Sequence, residues 1–299
     1  MLEFFYCYCI FKLNFIYPMS NILIAESGAT KTDWRLLDAT KKIKSFSTTG
    51  INPYLQTPEM ILAVLENELG WDAKKHQADK VFYYGTGVSN SEQQKKIGKV
   101  LTHFFQTKSV TVNHDMLAAA RAACGNNKGV VSILGTGSNS CYFDGKQIKV
   151  QQRSLGYIAG DEGSGNYLGK RVLQYYAYKT FDDELTMSFE KLFGDDFNAI
   201  VKKLYAETFP NRYLAEFVLF LRENRGHFMV ENIIEDCLND FFNAHILKYR
   251  QSWKSPIHFV GSIAFEFRTT LKMLCEQYEL ELGNIIKSPI EQLIGYHKE

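Results

Sequence analysis

Four short stretches of the 299-residue chain combine glycines, hydroxyls, a lysine and carboxylates at spacings that suit anion binding and proton transfer. Residues 27 to 32, Ser-Gly-Ala-Thr-Lys-Thr, interrupt a β-type run that resumes at Asp33. A glycine among small neighbours lets backbone N–H groups approach an anion closely, and the Thr30 and Thr32 hydroxyls with the Lys31 ammonium suit phosphate. The same composition also makes an ordinary hairpin turn. Residues 134 to 139, Leu-Gly-Thr-Gly-Ser-Asn, lie between two further apolar runs and read as a second hairpin in which Gly135 and Gly137 flank Thr136. It lacks the third glycine and the following helix of a dinucleotide fingerprint.

Asp115 stands at a strand end and at the start of an alanine-rich helix, in VTVNHDMLAAA. An aspartate there is commonly a helix cap. If it faces a cleft instead, it suits a carboxylate that orients a hydroxyl nucleophile and accepts its proton late in a loose phosphoryl transfer. The densest stretch is SLGYIAGDEGSGNYLGK, residues 154 to 170, with five glycines around Asp161 and Glu162. Adjacent acids at a helix start could merely complement the helix dipole. So many glycines point to close approach of backbone to a ligand, with Asp161 free to bind a sugar hydroxyl or a hydrated magnesium and Glu162 pointing elsewhere. The spacing to Lys170, which Arg171 follows, is not that of a Walker A loop.

The elements that must position these residues follow from periodicity. Residues 21–26, 33–38 and 42–48 read as an antiparallel meander. A helix then starts at the cap Thr57 with Pro58 at its first position, and Gly70 closes it. KVFYYGTG is a buried strand, Ser91 and Gln94 form a capping box for a second helix, SVTVNHD is a strand, and MLAAARAAC a helix ended by Gly125. From residue 130 the same layout of strand, Gly/hydroxyl turn, strand, tight turn and strand begins again, an internal duplication that would bring two phosphate-friendly hairpins to one cleft. Gly165 to about Arg250 is mostly helical. PIHFVGSIA then gives a strand and a helix, and NIIKSP with IEQLIGYH gives the last pair.

Composition bounds the partners. Thirty-four lysines and arginines balance 33 acids, so nothing electrostatic favours nucleic acid or a membrane surface over a small molecule. The six cysteines show no zinc-type pairing and a chain of this length needs no disulfide frame, which fits a reducing cytoplasm. Residues 1–18 form an aromatic-rich run broken by Lys12 and Asn14, read as an extension upstream of a start at Met19.

Taken in order from about Met19 onward, AESGATKTDW, TGINPY, NHDMLAAARAACG, LGTGSNS, LGYIAGDEGSGNYLG and FVGSIA resemble the N-acetylglucosamine kinases and the BadF/BadG/BcrA/BcrD ATPases of the actin, sugar kinase and Hsp70 superfamily. The resemblance implies an α/β fold of duplicated actin-like, ribonuclease H-like domains flanking a nucleotide cleft. The domains would span 19–114 and 115–299, the second larger with a helical insertion and its last helix returning to the first. It implies ATP and magnesium as cofactors and a kinase acting on the 6-hydroxyl of N-acetylglucosamine, with Asp115 as base. Gly28, Thr30, Lys31 and Thr32 would lie on the first phosphate loop, Gly135, Thr136 and Gly137 on the second, and Gly261 and Ser262 on the adenosine loop. Asn52, Ser138, Asn139, Ser154, Leu155, Gly156 and Asp161 would hold the sugar, and Glu26 would reach the metal through water. Position 26 is Glu where many members carry Asp, and Leu155 stands where some place tryptophan. The expected partner is a small sugar, with neither nucleic acid nor membrane involved and a homodimer as the candidate assembly. The alternative is an ATPase that activates a reductase or dehydratase. Such activators carry an iron–sulfur cluster on paired cysteines, whereas Cys124 and Cys141 lack cluster spacing. A non-catalytic sugar sensor is disfavoured because no DNA-binding helix-turn-helix is appended and Asp115 is retained.

Overall fold

The structure is a computed structural model that describes residues 20–28 and 30–298; the readings of 1–18 as an extension and of Met19 as a start lie outside these residues. Strands β1 (Ile22–Ser27), β2 (Lys31–Leu37) and β3 (Ile43–Thr49) form the antiparallel meander, and β4 (Lys80–Gly85) and β5 (Val110–His114) extend it in parallel, in the order β3-β2-β1-β4-β5. Strands β6 (Gly129–Leu134), β7 (Ser138–Phe143), β8 (Ile148–Gln151), β9 (Ile257–Val260) and β10 (Leu282–Ile286) repeat this arrangement as β10-β9-β6-β7-β8. In both sheets the hairpin pairs are antiparallel and the later strands parallel. The duplication read from residue 130 is therefore present strand for strand.

Helices α1 (Pro58–Glu68) and α2 (Ser91–Phe105) cover one face of the first sheet. Ile61, Leu65, Ile97 and Leu101 bury against Leu23, Trp34 and Tyr83 there. Thr57 caps α1 by accepting from Met60 N, as its sequence predicts. The cap of α2 differs: Asn90 holds the extended conformation and accepts from Gln93 N, while Gln94 donates to Val88 O, so no Ser91–Gln94 box forms.

Helix α3 (Asp115–Cys124) lies between the two sheets, which explains its composition. Met116, Ala119, Ala120 and Ala123 pack on Val131, Cys141 and Phe143 of the second sheet. Ala118 and Ala122 pack on Ile24 and Tyr84 of the first, joined by Ile290, Leu293 and Ile294 of the C-terminal helix Ile290–Lys298. Small side chains let a helix approach both layers closely, and larger ones would hold the sheets apart. Among the described residues no helix is long and apolar enough to cross a membrane.

Candidate active site

The carboxyl ends of the parallel strands β4, β5, β9 and β10 and the two hairpin turns open onto one cavity of about 520 Å³ between the sheets. Ligands of open α/β sheets characteristically bind at such strand ends. Its lining includes Gly28, Thr30 and Lys31 from the first turn, Gly135, Thr136 and Gly137 from the second, and Gly261 and Ser262 after β9. Glu26, Asp115, Ser138, Asn139, Ser154, Gly156 and Asp161 line it as well.

Three expected residues are placed differently. Thr32 is fully buried, with its hydroxyl shared with Ser27 Oγ at 2.7 Å and donated to Thr49 O. Side chains alternate along β2, so Lys31 and Asp33 turn to the cavity while Thr32 joins Trp34 and Leu36 on the core side. Asn52 stays in its own turn, accepting from Tyr54 N and donating its backbone N–H to Gln56, and does not reach the cavity lining. Leu155 is 65 % exposed beside a smaller neighbouring pocket. Conversely, Asp33, Thr86, Tyr157, Asn211 and Lys287 line the cavity without having been singled out from sequence. The period-2 pattern of β2 already signals Asp33, and Tyr157 adjoins the expected Gly156; Thr86, Asn211 and Lys287 come from outside the four stretches.

Asp115 is the first residue of α3, with His114 in the cap position, and its Oδ1 accepts from Met116 N at 2.8 Å. Burial raises its pKa, opposed by His114, the Met116 amide and the Thr86 hydroxyl, so the carboxylate is a stronger base than one in water. Burial and then the Asp115 and Asp33 carboxylates push Glu26 up to about 8, against a downward pull from Lys31. Three acids crowded beside a phosphate-type turn fit a hydrated divalent cation, whose charge would relieve their repulsion.

Asp161 sits in the left-handed region, φ +61°, in a turn upstream of the helix Gly165–Ala177 rather than at its start; Ser164 caps that helix. Its carboxylate accepts from Asn166 Nδ2 at 2.8 Å and from Ser138 N at 3.3 Å. Burial raises its pKa while these two donors oppose the rise. Among the described residues Ser138 Oγ and Ser288 Oγ, both belonging to cavity-lining residues, are buried without a hydrogen-bond partner. Such groups call for a ligand or ordered water. A second pocket of about 420 Å³ adjoins the cavity through Gly135, Thr136, Ser262 and Lys287, and continues along Ala215, Leu219 and Phe265.

Two copies of one sheet layout, each with a small glycine hairpin turned to a shared cleft, define the actin-like class of ATPase folds. The chain matches no protein-family model and no curated protein. Among solved structures it is similar to a Porphyromonas gingivalis protein provisionally named an N-acetylglucosamine kinase, with 36 % identity over 92 % of this chain and 98 % of that one and a TM-score of 0.87. The chain belongs to that N-acetylglucosamine kinase family, among the sugar kinases of the actin-like fold. A Chromobacterium violaceum protein of the same provisional name shares the fold at 17 % identity and TM-score 0.73, covering 94 % of this chain and 99 % of its own. A ROK family glucokinase from Streptomyces griseus, solved with glucose and AMPPNP, does so at 14 % identity and TM-score 0.55 over 93 % and 98 % of the two chains.

Proposed function

We propose that the protein is an ATP-dependent kinase that transfers the γ-phosphoryl group to the 6-hydroxyl of N-acetylglucosamine. The observation that carries this reading is the Asp115 carboxylate, made more basic by burial, in one cavity with both glycine hairpins and with Ser138, Asn139 and Asp161. Phosphoryl transfer leaves the protein mainly positioning and charge stabilisation to perform. Gly28, Thr30 and Lys31 of one turn and Gly135, Thr136 and Gly137 of the other line the same cavity and would hold the triphosphate between them, with Gly261, Ser262 and the adjoining 420 Å³ pocket accommodating the nucleoside. Ser138, Asn139, Ser154 and Asp161 would take the sugar hydroxyls, and Asp115 would orient the attacking 6-hydroxyl and accept its proton. Magnesium, when bound, would neutralise phosphate charge, and Glu26 with Asp33 are the residues to hold it through water. Closing the two halves would exclude water, which otherwise competes for the phosphoryl group.

We take the chain to divide at 114/115, and the seating of Ile290–Lys298 against β1 and α3 supports the return of the last helix to the first half. Free, buried Cys124, Cys141, Cys237 and Cys275 accord with a reducing cytoplasm. Cys124 and Cys141 lie in the apolar layer between α3 and the second sheet, where burial pushes Cys124 up to about 12, a setting for inert thiols rather than cluster ligands. The test is ATP consumption by purified protein across glucose, glucosamine, N-acetylglucosamine and their epimers, with the product located by NMR. Sugar-independent hydrolysis with none of them phosphorylated would overturn the reading.

A further inference from the structure

Behind the sugar side of the cleft, three side chains and one backbone amide form a single run of hydrogen bonds that ends against the Glu162 carboxylate. Gln152 N donates to Tyr249 OH at 3.0 Å, the Tyr249 and Ser140 oxygens lie 2.9 Å apart, Ser140 Oγ lies 3.0 Å from His245 Nδ1, and His245 Nε2 lies 3.5 Å from Glu162 Oε2. Each hydrogen is used once when the run points one way: Gln152 N–H to Tyr249, Tyr249 O–H to Ser140 and Ser140 O–H to Nδ1, which leaves Nε2–H on the side of the Glu162 carboxylate. That order requires a neutral imidazole protonated on Nε2. Burial lowers the pKa of His245, against a rise from Glu162 and Asp161, and so keeps the ring neutral. Ser140, His245 and Tyr249 are nearly inaccessible, and His245 stacks on Phe241 with ring centroids 4.7 Å apart. A satisfied polar network in such surroundings is rigid.

The run joins the three segments that carry the sugar-side residues. Ser140 follows Asn139 on β7, Gln152 precedes Ser154 by two residues, and Glu162 follows Asp161. All three converge on the segment after the helix Phe228–Ala244, which itself lines no part of the main cavity. Between the run and the cleft lies a pocket of about 100 Å³ lined by Ser138, Ser154, Leu155, Asp161, Glu162 and His245, three of which also line the cleft. We infer that His245 is a positioning residue for sugar recognition, holding residues 138–139, 154–156 and 161 in one mutual geometry while leaving the nucleotide side untouched. The inference rests on the sugar kinase reading above.

The experiment compares wild type, His245→Phe and His245→Gln. Phenylalanine retains a ring to stack on Phe241 and removes the Ser140 hydrogen bond and the polar contact with Glu162; the glutamine amide can still accept from Ser140 and face Glu162 with its NH2. Expected is a rise of roughly tenfold in sugar KM for His245→Phe, with KM for ATP and kcat within about threefold of wild type and partial recovery in His245→Gln. An unchanged sugar KM, or equal rises for sugar and ATP with no recovery in the glutamine variant, would overturn the inference. A wild-type protein that phosphorylates no sugar would instead overturn the kinase reading. Amide hydrogen exchange then decides the positioning role: faster exchange across 152–163 in His245→Phe supports it, and unchanged exchange removes it.

Discussion

Lys31 Nζ lies 2.7 Å from Asp33 Oδ1, so the ammonium of the first glycine hairpin is held by a carboxylate on the same face of its own strand. Arg35 continues the row, 4.0 Å from Asp33 and 2.8 Å from Glu291 on the C-terminal helix. The lysine side chain is 56 % exposed, and exposed ion pairs contribute at most about 1 kcal/mol to folding. The pairing aims a charge more than it stabilises the fold. Lys31→Ala is therefore expected to leave the melting temperature nearly unchanged and to raise KM for ATP by roughly tenfold, the scale of one charge-assisted hydrogen bond. Unaltered ATP affinity in a titration would remove Lys31 from the nucleotide site.

Asp115→Asn keeps an acceptor for Met116 N and the start of α3. We expect an intact melting curve and a fall in kcat of roughly 10² or more, the range of positioned proton transfer. Near-normal turnover would leave Asp115 with only its helix-end role.

Glu26 supplies a pH dependence. Its folded pKa of about 8 stands above its ordinary value of 4.5, so the folded state binds the extra proton between those values. The corresponding stability is fully present below pH 4.5 and is lost as pH rises through 8. In the absence of nucleotide and divalent cation, Glu26→Gln should gain in melting temperature on the wild type as pH is raised from 5 to 9. Parallel curves for the two proteins would contradict the raised pKa.

The two hairpin glycines should part company. Among the described residues a Cβ at Gly28 meets only Lys31 O at 3.7 Å, so Gly28→Ala fits the protein alone and is expected to weaken ATP binding while sugar KM holds. A Cβ at Gly137 would stand 2.8 Å from Asp161 Oδ2, so Gly137→Ala must displace the sugar-side carboxylate as well. Its sugar KM should rise with its ATP KM. N-acetylglucosamine is expected to be preferred over a ring-hydroxyl epimer by roughly tenfold in kcat/KM, and Gly137→Ala and Asp161→Ala should both erode that preference. Asp161→Asn, which tolerates φ +61°, controls for backbone strain. Unchanged discrimination in all three would take Asp161 out of sugar recognition.

The local half of the molecule was legible in the residues themselves. Alternation in KTDWRLL, proline after the cap at Thr57, and glycine after Cys124 are decisions made within a few residues, and the repeated strand and turn spacing carries the duplication in the sequence itself. Asp115 could be placed at a strand-to-helix junction for the same reason. Whether it capped or faced a cavity could not be read there, because that depends on α3 being clasped between two sheets whose strands lie far apart in the chain. The same alternation that signals Asp33 places Thr32 on the inward face of β2 with Trp34 and Leu36, which bury against α2 and its neighbours. Lys287 and Asn211 reached the cavity, and His245 reached Ser140 and Glu162, only through long-range packing. Backbone periodicity and turn chemistry thus determined the elements and their order. Tertiary structure decided which face of each element met the cleft, since burial is a property of the assembled sheets and not of the segments.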